Sequence, residues 1–343
     1  MTRIPDPASI VVHPKQWRLG EAPWLSHAFP LPARTRVIVD NDFGGDPDDL
    51  FQLVHHLLSP SVEIPLVVAS HLREGDFFDP SNKQATNAAL VVRDVFARMG
   101  CLTVERIVAG SEQGLIDCAT PQPSVAAEAI ITEALRDDDR PLFYAAGGGL
   151  TDLASAILLE PRVASRITLV WIGGPEHAGL ALPPVGAMPI EYNLFIDVAA
   201  AQVCFAEPGL AIWQIPRDVY RQCLMSDVEL RRRVATTGPL GEYLFDEVNW
   251  LRHDIHARGM GVAESYPMGD QPLVLLTALR SIFDPDASSS FYVERPTPEL
   301  TAEGQYRPMQ GTRPMRIYTQ VDARLMFEDF FGKLAEFAAW QAG

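Results

Sequence analysis

Five aspartates crowd one short stretch of this chain, Asp40, Asp42, Asp46, Asp48 and Asp49 in the run VDNDFGGDPDDLFQL. Carboxylates packed this closely repel one another and lose hydration when buried, so the stretch calls for protons or a cation to offset the charge. Its flanks say where it sits. Val37, Ile38 and Val39 form an apolar β-branched run that reads as a strand buried on both faces, while Leu50, Leu53, Val54, Leu57 and Leu58 fall at helical spacing. The acids therefore occupy the turn between a strand and a helix. Asp46 suits a helix N-cap, Pro47 the first helical position, and Asp48 and Asp49 the first turn, where the helix dipole favours negative charge. Helix-start chemistry does not explain Asp40 and Asp42, which lie at the strand's carboxyl end, the edge where open α/β sheets hold ligands.

Further candidates follow along the chain. Ser70 and His71 close a second strand expected over 64–69, and His71 beside the acidic turn suits either a substrate hydroxyl or a structural hydrogen bond. A helix is expected over 86–99, a strand over 104–109 and a helix over 125–135. The run PLFYAAGGGLTDLASAI then reads as strand, triple-glycine turn and helix. No GK[ST] follows and GGGLTD does not complete GxGxxG, so the glycines let a backbone carbonyl approach a ligand or ion, or simply permit a tight turn. After a strand over 167–172, residues 173–189 are Gly/Pro-rich and aperiodic, the profile of a functional loop.

Glu191 and Asn193, two apart on a segment expected to be extended, would point the same way and could grip vicinal hydroxyls. Asp197 suits the N-cap of the helix from Val198. A strand over 210–215 precedes a helix over 241–258 that carries Trp250, His253 and His256. The two histidines share a face, so this is either a base-stacking, proton-donating wall or an ordinary half-buried amphipathic helix. Asp270, before Gln271 and Pro272, is a helix cap or a functional acid. Strands are expected within 291–320, and the chain closes in a helix that packs on the body.

Composition bounds the rest. With 343 residues and 47% hydrophobic content the chain can bury a large core, read here as one α/β domain over 35–343 behind an extended, Pro-rich arm over 1–34. The net charge of −16 argues against nucleic acid polymer and against an anionic membrane surface. Cys101, Cys118, Cys204 and Cys223 show no CxxC spacing and read as reduced thiols. With no signal-peptide core and no bilayer-length apolar run, the expected location is cytoplasmic.

Taken together, VDNDFGGDPDDLFQL, GGGLTDLASAI, EYNLFIDVAAA and GDQPLVLLTAL resemble, in order, the fingerprint segments of the inosine-uridine preferring nucleoside hydrolase family, over about residues 36 to 335. The resemblance implies an open, mostly parallel Rossmann-like sheet with helices on both faces, and one Ca²⁺ at the strand ends. It implies Asp42, Asp49, Asp270 and the Gly147 carbonyl as metal ligands, an oxygen set that suits calcium. It further implies that Asp48 holds a ribose hydroxyl, that Glu191 and Asn193 bind the sugar's other side, and that Asp40 orients its neighbours. The activity implied is hydrolysis of an N-riboside to free base and ribose by a metal-bound water that Asp42 activates. The resemblance also implies a small nucleoside or riboside as partner and a homodimer or homotetramer as the assembly.

The chain departs from the family pattern in three places. Gly269 stands where a His is common, Val185, Gly186 and Ala187 where an Asn is expected, and Ser70 or His71 where another Asn is usual. His253, His256 or Trp250 would then serve the leaving group, and His71 the sugar. Two other readings remain: a non-catalytic calcium-dependent riboside-binding protein, and a haloacid dehalogenase-type phosphatase, because IVDND also resembles that family's Asp-x-Asp strand.

Overall fold

Val37 and Val39 project to one face of the first strand and Ile38 to the other, and both faces are buried. A computed structural model describes residues 4–25, 32–281 and 289–343, so residues 1–3 and 26–31 of the expected arm lie outside the described residues. The strands in chain order are β1 (Thr35–Asn41), β2 (Val62–Ala69), β3 (Ile107–Ala109), β4 (Leu142–Ala146), β5 (Ile167–Ile172) and β6 (Ala211–Ile215). They continue with β7 (Leu224–Ser226), β8 (Ser265–Pro267), β9 (Phe291–Pro296), β10 (Glu299–Leu300), β11 (Tyr306–Arg307) and β12 (Pro314–Gln320). Eight form one sheet in the order β3-β2-β1-β4-β5-β6-β12-β9, parallel throughout except for β9, which runs antiparallel to β12. This is a single α/β domain, as expected.

The chain fills this sheet outward from its middle. It runs from β1 to β2 and β3 in one direction, then from β4 to β5 and β6 in the other, so the order reverses between β1 and β4. Loops leaving two such strands part in opposite directions and open a crevice at their carboxyl ends. Those ends are level: the Gly147 amide donates to the Asp40 carbonyl at 3.0 Å, and the Ser70 amide to the Asn41 carbonyl at 2.9 Å.

One face of the sheet is covered by helices Asp48–Leu57, Gln84–Met99, Pro239–Ala257, Pro272–Thr277 and Ala323–Ala342. The other is covered by Val125–Ala134, Thr151–Leu159 and Val198–Ala206. The N-terminal segment is tied down rather than loose, because Trp17 bridges to Cys101, donates to the Met99 carbonyl at 2.8 Å, and packs edge-on to Trp24. All four cysteines are free, and among the described residues no helix is long and apolar enough to cross a membrane.

Two local expectations change. Helix Asp48–Leu57 starts two residues after Asp46, with Pro47 at the cap position and no side-chain cap bond, and Asp46 takes the Tyr266 hydroxyl instead. Of the strand expected over 104–109, only Ile107–Ala109 pairs, because Val104–Arg106 closes into a 3-10 turn in which the Arg106 amide bonds to the Thr103 carbonyl at 3.2 Å.

Candidate active site

Asp42 follows directly on β1, and its turn is closed by the Gly45 amide donating to the Asp42 carbonyl at 2.7 Å. Asp48 and Asp49 open the next helix. Asp270 arrives from far along the chain, delivered by the antiparallel pair β7 and β8, with the Met268 amide donating to the Cys223 carbonyl at 2.7 Å. Two bonds lock it against the acidic turn: the Asp270 amide donates to Asp48 Oδ2 at 3.2 Å, and Asn41 Nδ2 donates to Asp270 Oδ2 at 2.7 Å. Asn41 Oδ1 accepts the Asp42 amide at 3.0 Å, so one side chain aims both acids.

These groups line a cavity of about 240 Å³. Asp42, Asp46, Asp48, Asp49 and Asp270 form its acidic side, and Gly147, Ile172, Glu191, Tyr192, Asn193 and Tyr220 the side nearer β5, with Phe78, Pro267 and Gly269 completing it. No Lys, Arg or His is among its described lining residues. Larger hollows of about 880 and 850 Å³ lie elsewhere and include none of the clustered acids.

The electrostatics follow from burial without a counter-charge. Asp42, Asp48, Asp49 and Asp270 are 8%, 9%, 2% and 6% exposed. Burial first, and then the charge of Asp270, pushes Asp42 and Asp48 well above the usual carboxylate range; for Asp49 it is burial and then Asp42. Asp270 is pushed up to about 7 and Asp46 to about 6, again chiefly by burial. No hydrogen bond of good geometry reaches either oxygen of Asp49. Asp40 stands behind the cavity, its oxygens taken by the Ser70 and Tyr144 hydroxyls, and burial reinforced by Asp152 pushes it up to about 8.

A divalent cation suits this donor set, because hard oxygens are what such ions take and no side-chain donor reaches Asp49. Among the described residues no three His, Cys, Asp or Glu side chains already stand in a metal-holding arrangement.

The structure brings together Asp42, Asp48, Asp49, Gly147, Glu191, Asn193 and Asp270 from the residues singled out in the sequence. Glu191 and Asn193 are not on an extended segment: Glu191 caps the short helix Tyr192–Ile196, and Asn193 lies in its first turn. Asn193 Nδ2 donates to the Gly147 carbonyl at 2.6 Å and to the Ile172 carbonyl at 2.9 Å. Asp197 caps the next helix, accepting the Ala200 amide at 2.9 Å.

Four other candidates lie apart from the cavity. His71 is buried beside the glycine turn, with Nε2 2.9 Å from Thr151 Oγ1 and Nδ1 2.6 Å from the Leu72 carbonyl. His253 and His256 are exposed on helix Pro239–Ala257. Trp250 lines a neighbouring pocket of about 30 Å³ that also touches Asp49 and Phe78. Conversely, sequence reasoning passed over Asn41, Tyr192, Tyr220 and Tyr266. Only Asn41 carried a signal, its place between two acids at the strand tip.

A family model for inosine-uridine preferring nucleoside hydrolase matches residues 37–328. The chain belongs to that family. It is 32% identical over 140 residues to an inosine-uridine preferring nucleoside hydrolase of Leishmania major, covering 39% of this chain and 43% of the relative. Against a protein of the same description from Crithidia fasciculata it is 26% identical over 212 residues, 59% of this chain and 62% of the relative. These matches thus span less than two thirds of either relative's length. A purine-preferring ribonucleoside hydrolase from Gardnerella vaginalis shares the fold, with a TM-score of 0.66 at 17% identity over 89% of this chain and 99% of that one.

Proposed function

We propose that this family member hydrolyses the N-glycosidic bond of a ribonucleoside or related N-riboside, with calcium held by Asp42, Asp49, Asp270 and the Gly147 carbonyl. The single observation that carries the reading is Asp49, a buried carboxylate without a good hydrogen bond, in a cavity where acids from distant parts of the chain meet and no basic side chain is among the described lining residues. When bound, the ion would polarise water and the sugar diol as a Lewis acid.

The chain's own groups divide the remaining work. Cleavage breaks the bond from C1′ to the base nitrogen, forms a bond from C1′ to a water oxygen, and leaves positive charge on the ribosyl ring on the way. Asp42 takes the water's proton, and the departing base nitrogen keeps the bonding pair and gains a proton from solvent, so that one water is consumed for each base released. Asp48 accepts a hydrogen bond from a ribose hydroxyl, and Asn41 keeps Asp270 and Asp42 aimed at the same space. The lining acids that the ion leaves ionised stabilise the ring charge as it develops. Phe78, Tyr192 and Tyr220 supply the aromatic part of the cavity's lining.

Release of free base and ribose from a panel of ribonucleosides in calcium tests this, and Asp42→Ala is expected to slow release by roughly a hundredfold or more. An unchanged rate in that variant would contradict the assignment of the base. The absence of a His from the described lining favours, as a second reading, a calcium-dependent riboside-binding protein without turnover. Calorimetric riboside binding with no product over the whole panel would select it. The phosphatase reading has no support, since no Lys is among the described lining residues and the family match lies elsewhere.

A further inference from the structure

Helix Asp48–Leu57 and the segment that carries Asp270 meet along a seam that is buried and polar. Gln52, His55 and His56 on the helix, and Gln271 and Thr277 opposite, are all 2% exposed or less. Their side chains pair across the seam. His55 Nδ1 stands 2.6 Å from Gln271 Oε1 and His56 Nε2 2.9 Å from Thr277 Oγ1, while Gln52 backs His56 from within the helix. His55 Nε2 is held in turn by Asp329 at 2.9 Å, an acid that also pairs with Lys333. Apolar side chains would close these two helices without the desolvation that polar ones incur. What the polar seam adds is register, because each pair is satisfied at one alignment only, whereas apolar contacts tolerate a slip.

The seam ends at the acids. Asp48 lies about two turns before His55 and so on the same face of the helix, and Gln271 adjoins Asp270. Two ties therefore join residues 270–271 to that helix: the Asp270 amide donates to Asp48 Oδ2 at 3.2 Å, and Gln271 meets His55 at 2.6 Å. The second is the shorter. We propose that His55 is a positioning residue for the cation site, holding Gln271, and with it Asp270, in the register at which Asp270 faces Asp42 and Asp49. The proposal rests on the calcium reading and adds to it a group that is not among the described residues lining the cavity. Helix Ala323–Ala342, through Asp329, fixes the imidazole from behind.

Calorimetric titration of calcium into the full chain and into His55→Asn, His55→Gln and Gln271→Met separates the contacts. An Asn amide stands where Nδ1 stands and still serves Gln271, whereas a Gln amide stands where Nε2 stands and serves Asp329 instead. His55→Gln and Gln271→Met are each expected to bind calcium about tenfold more weakly. The double variant is expected to bind no more weakly than either, because all three lose the same contact. His55→Asn is expected to stay within about threefold of the unaltered protein. General damage to packing lowers the melting temperature of both His55 variants and does not rank their calcium affinities in this order. Unchanged affinity in His55→Gln or in Gln271→Met overturns the proposal and leaves the calcium reading standing. So does a His55→Asn as weak as His55→Gln, or losses that add in the double variant. Absence of calcium binding by the unaltered protein overturns both.

Discussion

Asp49 is costly as it stands, 2% exposed with neither oxygen in a good hydrogen bond. Removing a charge from water without a partner costs far more than any helix-start preference returns, since dipole effects amount to about 1 kcal/mol or less. That comparison separates the acids by role. Asp46 and Asp40 have hydroxyl partners, whereas no side-chain hydrogen bond reaches Asp49. Asn41 is the neutral group that organises the charged ones, and Asn41→Ala is expected to weaken calcium binding by about 10 to 100-fold, as loss of an outer-shell contact usually does. A calcium titration checks this, and unchanged affinity would mean that Asp270 is aimed without Asn41. The acids were legible in the sequence because helix-start chemistry accounts for Asp46, Asp48 and Asp49 but not for Asp40 and Asp42 in the same turn. Tyr220 and Tyr266 were not, since each meets an acid remote in sequence and no spacing rule connects them. His253 and His256 show the same limit from the other side. Their spacing places both on one helix face without saying which way that face looks.

At the scale of elements, the site depends on how loops are pinned to strand ends. The loop over 173–189 is anchored by a part-buried ion pair, with Arg217 Nε and Nη2 donating to Glu176 at 2.8 and 2.7 Å. His177 adds a second anchor, stacked on Tyr306 with centroids 4.3 Å apart and Nε2 2.8 Å from Gln214 Oε1. Burial lowers His177 from 6.5 to about 4, so the folded chain holds it neutral while the unfolded chain takes a proton. The stability this confers is complete above about pH 6.5 and is lost as pH falls toward about 4, amounting to about 2 kcal/mol by pH 5. Urea unfolding at pH 7 and pH 5 should show His177→Gln losing about 2 kcal/mol less than the unaltered protein, and equal losses would contradict it. The loop's irregular course was legible from its glycines and prolines. Its anchors were not, because they come from Gln214, Arg217 and Tyr306, well outside it.

Across the whole molecule, the alternation of apolar strand and amphipathic helix predicted the α/β class, since period 2 and period 3.6 leave different marks. Strand order left no such mark. That β1 neighbours β4, and that the crevice opens between them, is set by long-range packing, and only the family resemblance pointed to it. The net charge of −16 disfavours contact with phosphate polymers. Calorimetric titration of calcium into the full chain and into Asp49→Asn tests most directly that the buried acids exist to hold a cation. One ion per chain is predicted for the unaltered protein, with affinity reduced about a hundredfold or more in the variant. Absence of binding to the unaltered protein, or equal binding by both, would contradict it.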